Sequence, residues 1–338
     1  MLARLMRRIA PVLLLLAALL GGCGSSGPGA VGPVGGVGGS GTRSATLVLD
    51  FTPNAIHAGI YTALARGYDR SAGVRLHVVA PSASTDSIRL LETGRVKFAI
   101  LDIHDLAIAR ARGADIVGIM SIVQRPLAAV IAAPQVRDPR ALEGQPVGVT
   151  GVPSDTAVLH SIVAGAGGTP SRVRTITIGY DAVADLLAGR VAAATAFWND
   201  EGVTLRRRRP GFHIFRVDRY GAPTYPELVL CATGSSLRAD PALARSVVRA
   251  LTRGYAEVLR DPPAGEQALE SQVSGLDAGL VAAELRGLLP AFRLPGQRVG
   301  ALDPTRLRAW SRWEARFGIV SRPPDVATMF ASGFTAGG

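Results

Sequence analysis

Leu91-Glu-Thr-Gly-Arg-Val96 and Leu186-Leu-Ala-Gly-Arg-Val191 carry one local message twice. In each copy a helical stretch runs out at a glycine, which tolerates the left-handed C-cap conformation that other residues avoid. In each, an arginine and a valine then lead into an apolar run, Phe98 to Leu101 in the first copy and Ala193 to Phe197 in the second. Helix, glycine and buried strand in the same order at Gly94 and Gly189 predict two structurally similar α/β domains.

The surrounding sequence extends the same alternation. Strand-like runs at Thr46 to Leu49, Leu76 to Ala80, Ile116 to Val123 and Leu127 to Ala133 are separated by segments with helical spacing. The helix opened by Pro53-Asn54 puts Ile56, Ile60, Ala63 and Leu64 on one face. A second series starts with the strand Pro146 to Thr150. It continues through a helix from Ser154, a strand at Thr175 to Ile178 and a helix at Ala182 to Leu187. Such alternation predicts mostly parallel sheets covered by helices. From Arg238 to Phe330 the chain reads as helical, with starts at Asp240-Pro241 and Asp303-Pro304.

The N-terminus carries a different signal. Arg4, Arg7 and Arg8 precede an apolar run from Leu13 that closes at Cys23. The run is too short for an ordinary membrane span and has the layout of a secretory signal. Leu20-Gly21-Gly22-Cys23 resembles a bacterial lipobox, which makes Cys23 the expected lipidation site. It places the chain on the extracytoplasmic face of the cell membrane, tethered by lipid. Residues 24–44 are nearly all small or turn-forming and read as a flexible linker.

Composition sets further bounds. At 48% hydrophobic, the 338 residues can bury a sizeable core. The only cysteine besides Cys23 is Cys231, so an intramolecular disulfide is not expected. The formal net charge is +11, three of it from the arginines of the leader. The basic runs lack interleaved aromatics, and the longest, Arg206 to Arg209, reads as a solvated helix face rather than a nucleic-acid surface. No HExxH, GxSxG, P-loop or CxxC pattern is present, so no catalytic residue, cofactor or enzymatic activity is expected. His104 lies between Asp102 and Asp105, but such local ligands alone do not make a closed metal centre, and no metal is expected.

Ligands of open α/β sheets bind outside the carboxyl ends of the strands. That rule selects Asp102, Ile103, His104 and Asp105 in the first domain and Trp198, Asn199, Asp200 and Glu201 in the second. An indole beside amides and carboxylates suits a planar, nitrogen-rich ligand, although Trp198 can equally be a core residue and Asn199 a helix cap. Asn54 and His57 open the first helix, as ligand contacts or as a cap and a satisfied histidine. Ser154, in Gly151-Val-Pro-Ser-Asp155, sits where free N–H groups either hold a polar ligand group or are simply capped. Tyr225 either walls the cleft or packs the hinge.

Asp50-Phe-Thr-Pro-Asn-Ala-Ile-His-Ala-Gly-Ile-Tyr61 resembles the N-terminal signature of ABC-transporter solute-binding proteins for thiamine pyrimidine precursors. Val123-Gln-Arg-Pro-Leu127, Gly151 to Asp155, Phe197 to Gly202 and Tyr220-Gly-Ala-Pro-Thr-Tyr-Pro-Glu-Leu228 follow the same pattern in the same order. These formylaminopyrimidine and hydroxymethylpyrimidine binders are related to alkanesulfonate- and nitrate-binding proteins. The resemblance implies an α/β, two-lobed type II periplasmic-binding-protein fold with two crossover segments, near Leu127 to Ala133 and Glu227 to Thr233. Lobe 1 would comprise residues 45–130 and 230–335, and lobe 2 residues 131–229. A monomer would capture a small molecule between the lobes and deliver it to a membrane permease. Carried over by motif, Asn54, His57, Trp198, Asn199, Glu201 and Tyr225 would line the pocket, with Asp102, Gln124 and Ser154 in support. Two departures stand out. Phe51 occupies a place where the family often has Trp, and the Cys-rich iron motif of the related fungal pyrimidine synthases is absent.

Overall fold

The computed structural model describes residues 42–83 and 85–335. The signal segment, Cys23 and most of the linker lie outside the described residues. Within the described residues ten strands form two five-stranded sheets. The first holds β1 (Arg43–Val48), β2 (Val74–Val79), β3 (Phe98–Asp102), β4 (Ile116–Ser121) and β10 (Leu228–Thr233), in the order β2-β1-β3-β10-β4. The second holds β5 (Ala128–Ala132), β6 (Pro146–Val149), β7 (Arg174–Thr177), β8 (Ala193–Phe197) and β9 (His213–Arg216), in the order β7-β6-β8-β5-β9.

The two orders are the same pattern. In the first sheet β10 is antiparallel to both neighbours, β3 and β4. In the second β5 is antiparallel to β8 and β9. Each of these strands is the first element after the chain arrives from the other sheet. The repeated Gly94 and Gly189 both sit in the left-handed region, at φ 70° and 69°, just past the helices Asp86–Glu92 and Ala182–Ala188. The expected duplication is therefore a repeated topology.

The crossovers fall slightly earlier than expected. All of β5, including Ala128 to Val130, pairs inside the second sheet, so the outward crossing is the segment 122–127 rather than Leu127 to Ala133. The return is complete by Leu228, which already pairs with Asp102, so the crossing is residues 218–227 rather than Glu227 to Thr233. Apolar strands on either side of an apolar linker read as one run, which hid the junctions. The fold likewise starts at Arg43, where β1 pairs with Val74, rather than at residue 45. Of the strand-like run Ile116 to Val123, Ile116–Ser121 forms β4, which lies at the edge of the first sheet.

The first sheet is buried on both faces, which explains the unbroken apolar runs of its strands. Leu47, Phe98, Ile100, Leu228 and Leu230 pack with Val247, Leu251 and Tyr255 of the helix Pro241–Arg260 and with Leu285, Leu288 and Phe292 of the helix Ala278–Phe292. The alternate residues Val48, Ala99, Leu101, Val229 and Cys231 pack with Leu106, Leu307, Trp310 and Trp313. The helix Pro241–Arg260 crosses Ala58–Ala65 at glycines. A Cβ on Gly254 would lie 2.0 Å from the Gly59 carbonyl oxygen, so this close crossing needs glycine. Asp240 and Asp303 cap their helices through the backbone amides of Leu243 and of Thr305 and Arg306, as their Asp-Pro starts predict.

Candidate functional site

A cavity of about 120 Å³ lies where the carboxyl ends of the two sets of strands meet. Asp50 and Phe51 reach it from just past β1, and Asp102, His104 and Asp105 from the end of β3. Opposite them stand Thr150, Ser154 and Asp155 after β6, Tyr180 after β7, Phe197 at the end of β8, and Asp200 and Glu201 just past it. The strand-end rule holds in both lobes. Among the described residues six carboxylic side chains, and no Arg or Lys, line this space.

Side chains from the two lobes meet around the cavity. Asn54 Nδ2 donates to Asp200 Oδ2 at 2.5 Å, and Ser154 Oγ donates to Asp105 Oδ1 at 2.7 Å. Phe51 and Tyr180 pack edge to face with ring centroids 4.4 Å apart, and the Tyr180 hydroxyl reaches the Asp50 carbonyl at 3.5 Å. The lobes are thus in direct contact on both sides of the cavity.

The carboxyls hold their protons unusually well. Burial pushes Glu201 up to about 8, with the Asp200 and Asp155 charges adding to the effect. Burial likewise pushes Asp200 to about 6, against the opposing Asn54 hydrogen bond. Burial also raises Asp105 to about 6, and Asp155 is raised by burial although Thr150 donates to it through its amide and hydroxyl at 2.6 and 2.7 Å. Behind this wall Glu284 is pushed to about 8, first by burial and then by Asp200. The physical cause is common to all: burial in a low dielectric favours the neutral acid and outweighs the hydrogen bonds and charges that oppose it.

Of the residues expected in the pocket, Asp102, Ser154 and Glu201 line the cavity. Asn54 and His57 stand one layer behind it. Asn54 caps the short 3₁₀ turn Ala55–His57 and holds Asp200. His57 accepts the Asn54 amide on Nδ1 at 3.2 Å and contacts Asp50 through Nε2 at 2.9 Å, so it carries its proton on Nε2 and fixes a cavity carboxylate.

The other four are placed elsewhere. Trp198 is not a stacking wall of the cavity. Its Nε1 donates to the Pro126 carbonyl at 3.0 Å, the Arg216 guanidinium lies 4.3 Å from its ring centre, and it packs against the first-lobe core. Asn199 is fully buried, and neither amide atom has a hydrogen-bond partner among the described residues. Tyr225 is fully buried, with its hydroxyl 3.0 Å from His104 Nε2. Gln124 holds backbone groups, donating to the Arg298 carbonyl and accepting from the Leu294 amide. Asp200, which the strand-end rule selects along with His104 and Asp105, lines the cavity; Tyr180, Phe51, Asp50 and Asp155 lie outside the expected pocket set, and the same rule applied to β1, β6 and β7 reaches them.

Beneath Asp102 a second set of acids surrounds one imidazole. Glu314 accepts from His104 Nδ1, and Glu227 Oε1 lies 3.5 Å from Nε2. Burial pulls the imidazole down, but Glu314, Asp102 and Glu227 outweigh it and hold His104 at about 10. Burial raises Asp102 and Glu227 as well, so the set as a whole retains protons.

Comparison with known proteins adds ancestry to this geometry. The family model described as "NMT1/THI5 like" matches residues 54–264. The chain is 29% identical over 219 residues to the formylaminopyrimidine-binding protein of Halalkalibacterium halodurans, covering 64% of this chain and 66% of that one, somewhat under two thirds of the relative's length. It is 25% identical over 313 residues to the riboflavin-binding protein RibY of Chloroflexus aurantiacus, covering 88% and 87%. It is 23% identical over 237 residues to a 4-amino-5-hydroxymethyl-2-methylpyrimidine phosphate synthase of Aspergillus parasiticus, covering 66% and 69%. Among solved structures, the alkanesulfonate-binding protein SsuA of Xanthomonas axonopodis pv. citri superposes with a TM-score of 0.69 at 16% identity, over 86% of this chain and 98% of that one. That likeness establishes the periplasmic-binding-protein fold.

Proposed function

The chain belongs to the NMT1/THI5-like family, and from that premise we propose that it is the solute-binding component of an ABC importer for a thiamine pyrimidine precursor. The cavity's acidic lining, free of Arg and Lys, is the observation that carries the reading. A sulfonate or nitrate placed there would meet six carboxyls, and the one cationic group of the lining, His104, is already committed to Glu314 and Glu227. An aminopyrimidine instead brings an exocyclic amine and ring nitrogens. Ionised Asp200 accepts from the amine, and Glu201, neutral below about 8, donates to a ring nitrogen while accepting from the amine. Phe51 and Tyr180 supply apolar walls.

Riboflavin is the second reading, supported by the long match to RibY. Cavity size speaks against it: about 120 Å³ is small beside the ~300–1,000 Å³ of clefts that enclose drug-sized ligands, and suits one ring better than three. Binding without turnover is favoured over a synthase role. Cys231 is fully buried with its thiol pushed well up by burial, and Cys23 is the expected anchor, so no thiol serves the cavity. In this reading the chain is a monomer held at the extracytoplasmic face by lipid on Cys23, and docks on its permease when closed. Loss of detergent-phase partitioning in Cys23→Ser tests the anchor.

The deciding experiment is thermal unfolding against formylaminopyrimidine, hydroxymethylpyrimidine, riboflavin, taurine and nitrate. A ligand at a hundredfold its Kd adds about 2.7 kcal/mol. Stabilisation by a pyrimidine is expected. Stabilisation by taurine or nitrate alone overturns the reading, and release of a phosphorylated pyrimidine product moves the protein to the synthases.

A further inference from the structure

We propose that Asp102, His104 and Glu227 form a binding site for one divalent transition-metal cation of the zinc type, beneath the floor of the cleft. Taken locally, Asp102, His104 and Asp105 make no closed centre. The return crossover changes the set by bringing Glu227 and Tyr225 onto the same imidazole. One ligand atom from each of Asp102, His104 and Glu227 lies within 4.8 Å of the others. Glu227 Oε1 is 3.5 Å from His104 Nε2, and the Tyr225 hydroxyl is 3.0 Å from it. Donor atoms bound tetrahedrally at ~2.0–2.2 Å stand about 3.3–3.6 Å apart, so small shifts close the ring around an ion.

Glu227 points to the ion independently. It is fully buried, and its Oε2 accepts the amides of Leu127 and Ala128 at 2.5 and 3.0 Å, which fixes the carboxylate. Its Oε1 has no hydrogen-bond partner among the described residues and is aimed at the imidazole. Glu314 takes the proton on His104 Nδ1, the carboxylate–histidine–metal arrangement that orients a ligating ring and leaves Nε2 for the metal. Among the described residues no Arg or Lys ion-pairs with Asp102, Glu227 or Glu314, so a dication would neutralise the carboxylates of Asp102 and Glu227. One nitrogen and two oxygens suit zinc better than a hard, fully hydrated cation. Asp102 and His104 also line the cleft, which provides the entry path. The ion would tie the return crossover to the first lobe.

The test uses the full chain, stripped with EDTA and titrated with ZnCl2 in the absence of any organic ligand. One Zn²⁺ per chain is expected by calorimetry and by metal analysis. Glu227→Gln and His104→Gln should each weaken binding at least tenfold. Glu314→Gln, acting through the ring, should weaken it about ten- to a hundredfold. Co²⁺ should give intense visible bands of a low-symmetry site in the parent chain. Should Glu227→Gln fail to fold, Glu314→Gln and the Co²⁺ spectrum of the parent still decide. A stripped parent that takes up no Zn²⁺, or variants that bind as the parent does, overturns the proposal and leaves an ion-pair cluster closed by protons. Neither result touches the pyrimidine reading, which is measured separately.

Discussion

Two acidic corners border the same cleft and are built to different ends. At the end of β8, Asp200 and Glu201 meet an amide side chain, Asn54, and a backbone amide, that of Phe197 at 3.0 Å. At the end of β3, Asp102 joins an imidazole, a phenol and two further carboxylates drawn from the return crossover and the C-terminal helix Pro304–Arg316. Both corners are rich in buried carboxyls. Their partners set them apart: the first leaves acceptors facing the cavity, whereas the second turns its members on one another. A carboxyl near a cleft is available to ligand only if the protein has not already committed it.

The sharpest way to break this contrast is Glu227→Ala. It removes the acceptor of the Leu127 and Ala128 amides and one charge beside His104. Breaking a buried charged pair from one side costs about 3–5 kcal/mol. Urea unfolding should show a loss of that order. A loss under about 1 kcal/mol would mean that the β3 corner is not the structural one.

The β8 corner should behave in the opposite way. Asp200→Asn keeps the shape but removes the charge that accepts the ligand's amine. A hydrogen bond to a charged partner is worth about 1.5–3 kcal/mol, so calorimetry should show pyrimidine affinity falling about ten- to a hundredfold. Unfolding stability should hold or rise, since one crowded acid is gone. A variant that lost stability while binding as before would merge the two corners into one structural network.

The pH dependence sharpens the same point. Glu201 and Glu284 are held at about 8 and Asp200 at about 6, all above the ordinary carboxylate range. Asp50, His57 and Asn54 act on Asp200, Asp155 acts on Glu201, and Arg207 opposes the shift of Glu284. Between about pH 4.5 and 8 the folded state therefore binds more protons than the unfolded one, and stability falls as pH rises through that window. Below it both states are protonated and the penalty is absent. Denaturation midpoints measured across pH 4.5–8 should decline, and Glu201→Gln should flatten the slope. An unchanged slope in that variant would assign the titration elsewhere.

The sequence was most legible where local chemistry repeats. Gly94 and Gly189 announced the duplicated topology because a left-handed cap is a one-residue requirement. Strand ends announced Asp102, Asp200 and Glu201 because position along a strand fixes the end of the sheet to which a residue belongs. What the sequence hid was depth and partnership. Asn54 and His57 sit in a motif beside the cleft, yet they act on Asp200 and Asp50 and not on its contents. Trp198 has the composition of a stacking wall, but its partners, Pro126 and Arg216, come from the crossover and from β9, a strand with no clear periodic signal. The Tyr180–Phe51 contact joins residues of different lobes, which no local pattern reveals.

Asn199 gives the smallest expected effect. It lies between Trp198, which is structural, and Asp200, which lines the cavity, and by sequence it belonged with the pocket. Its side chain is fully buried, with neither amide atom hydrogen-bonded among the described residues. Burying an unsatisfied amide costs about 1–3 kcal/mol in proteins. Asn199→Leu, of similar shape, therefore removes a penalty and should leave stability unchanged or raised by up to about 1 kcal/mol, with pyrimidine affinity within twofold of the parent. A tenfold loss of affinity at unchanged stability would show instead that the amide is spent on the ligand. Asn199 would then belong to the β8 corner, and that corner would extend one residue deeper than its cavity wall.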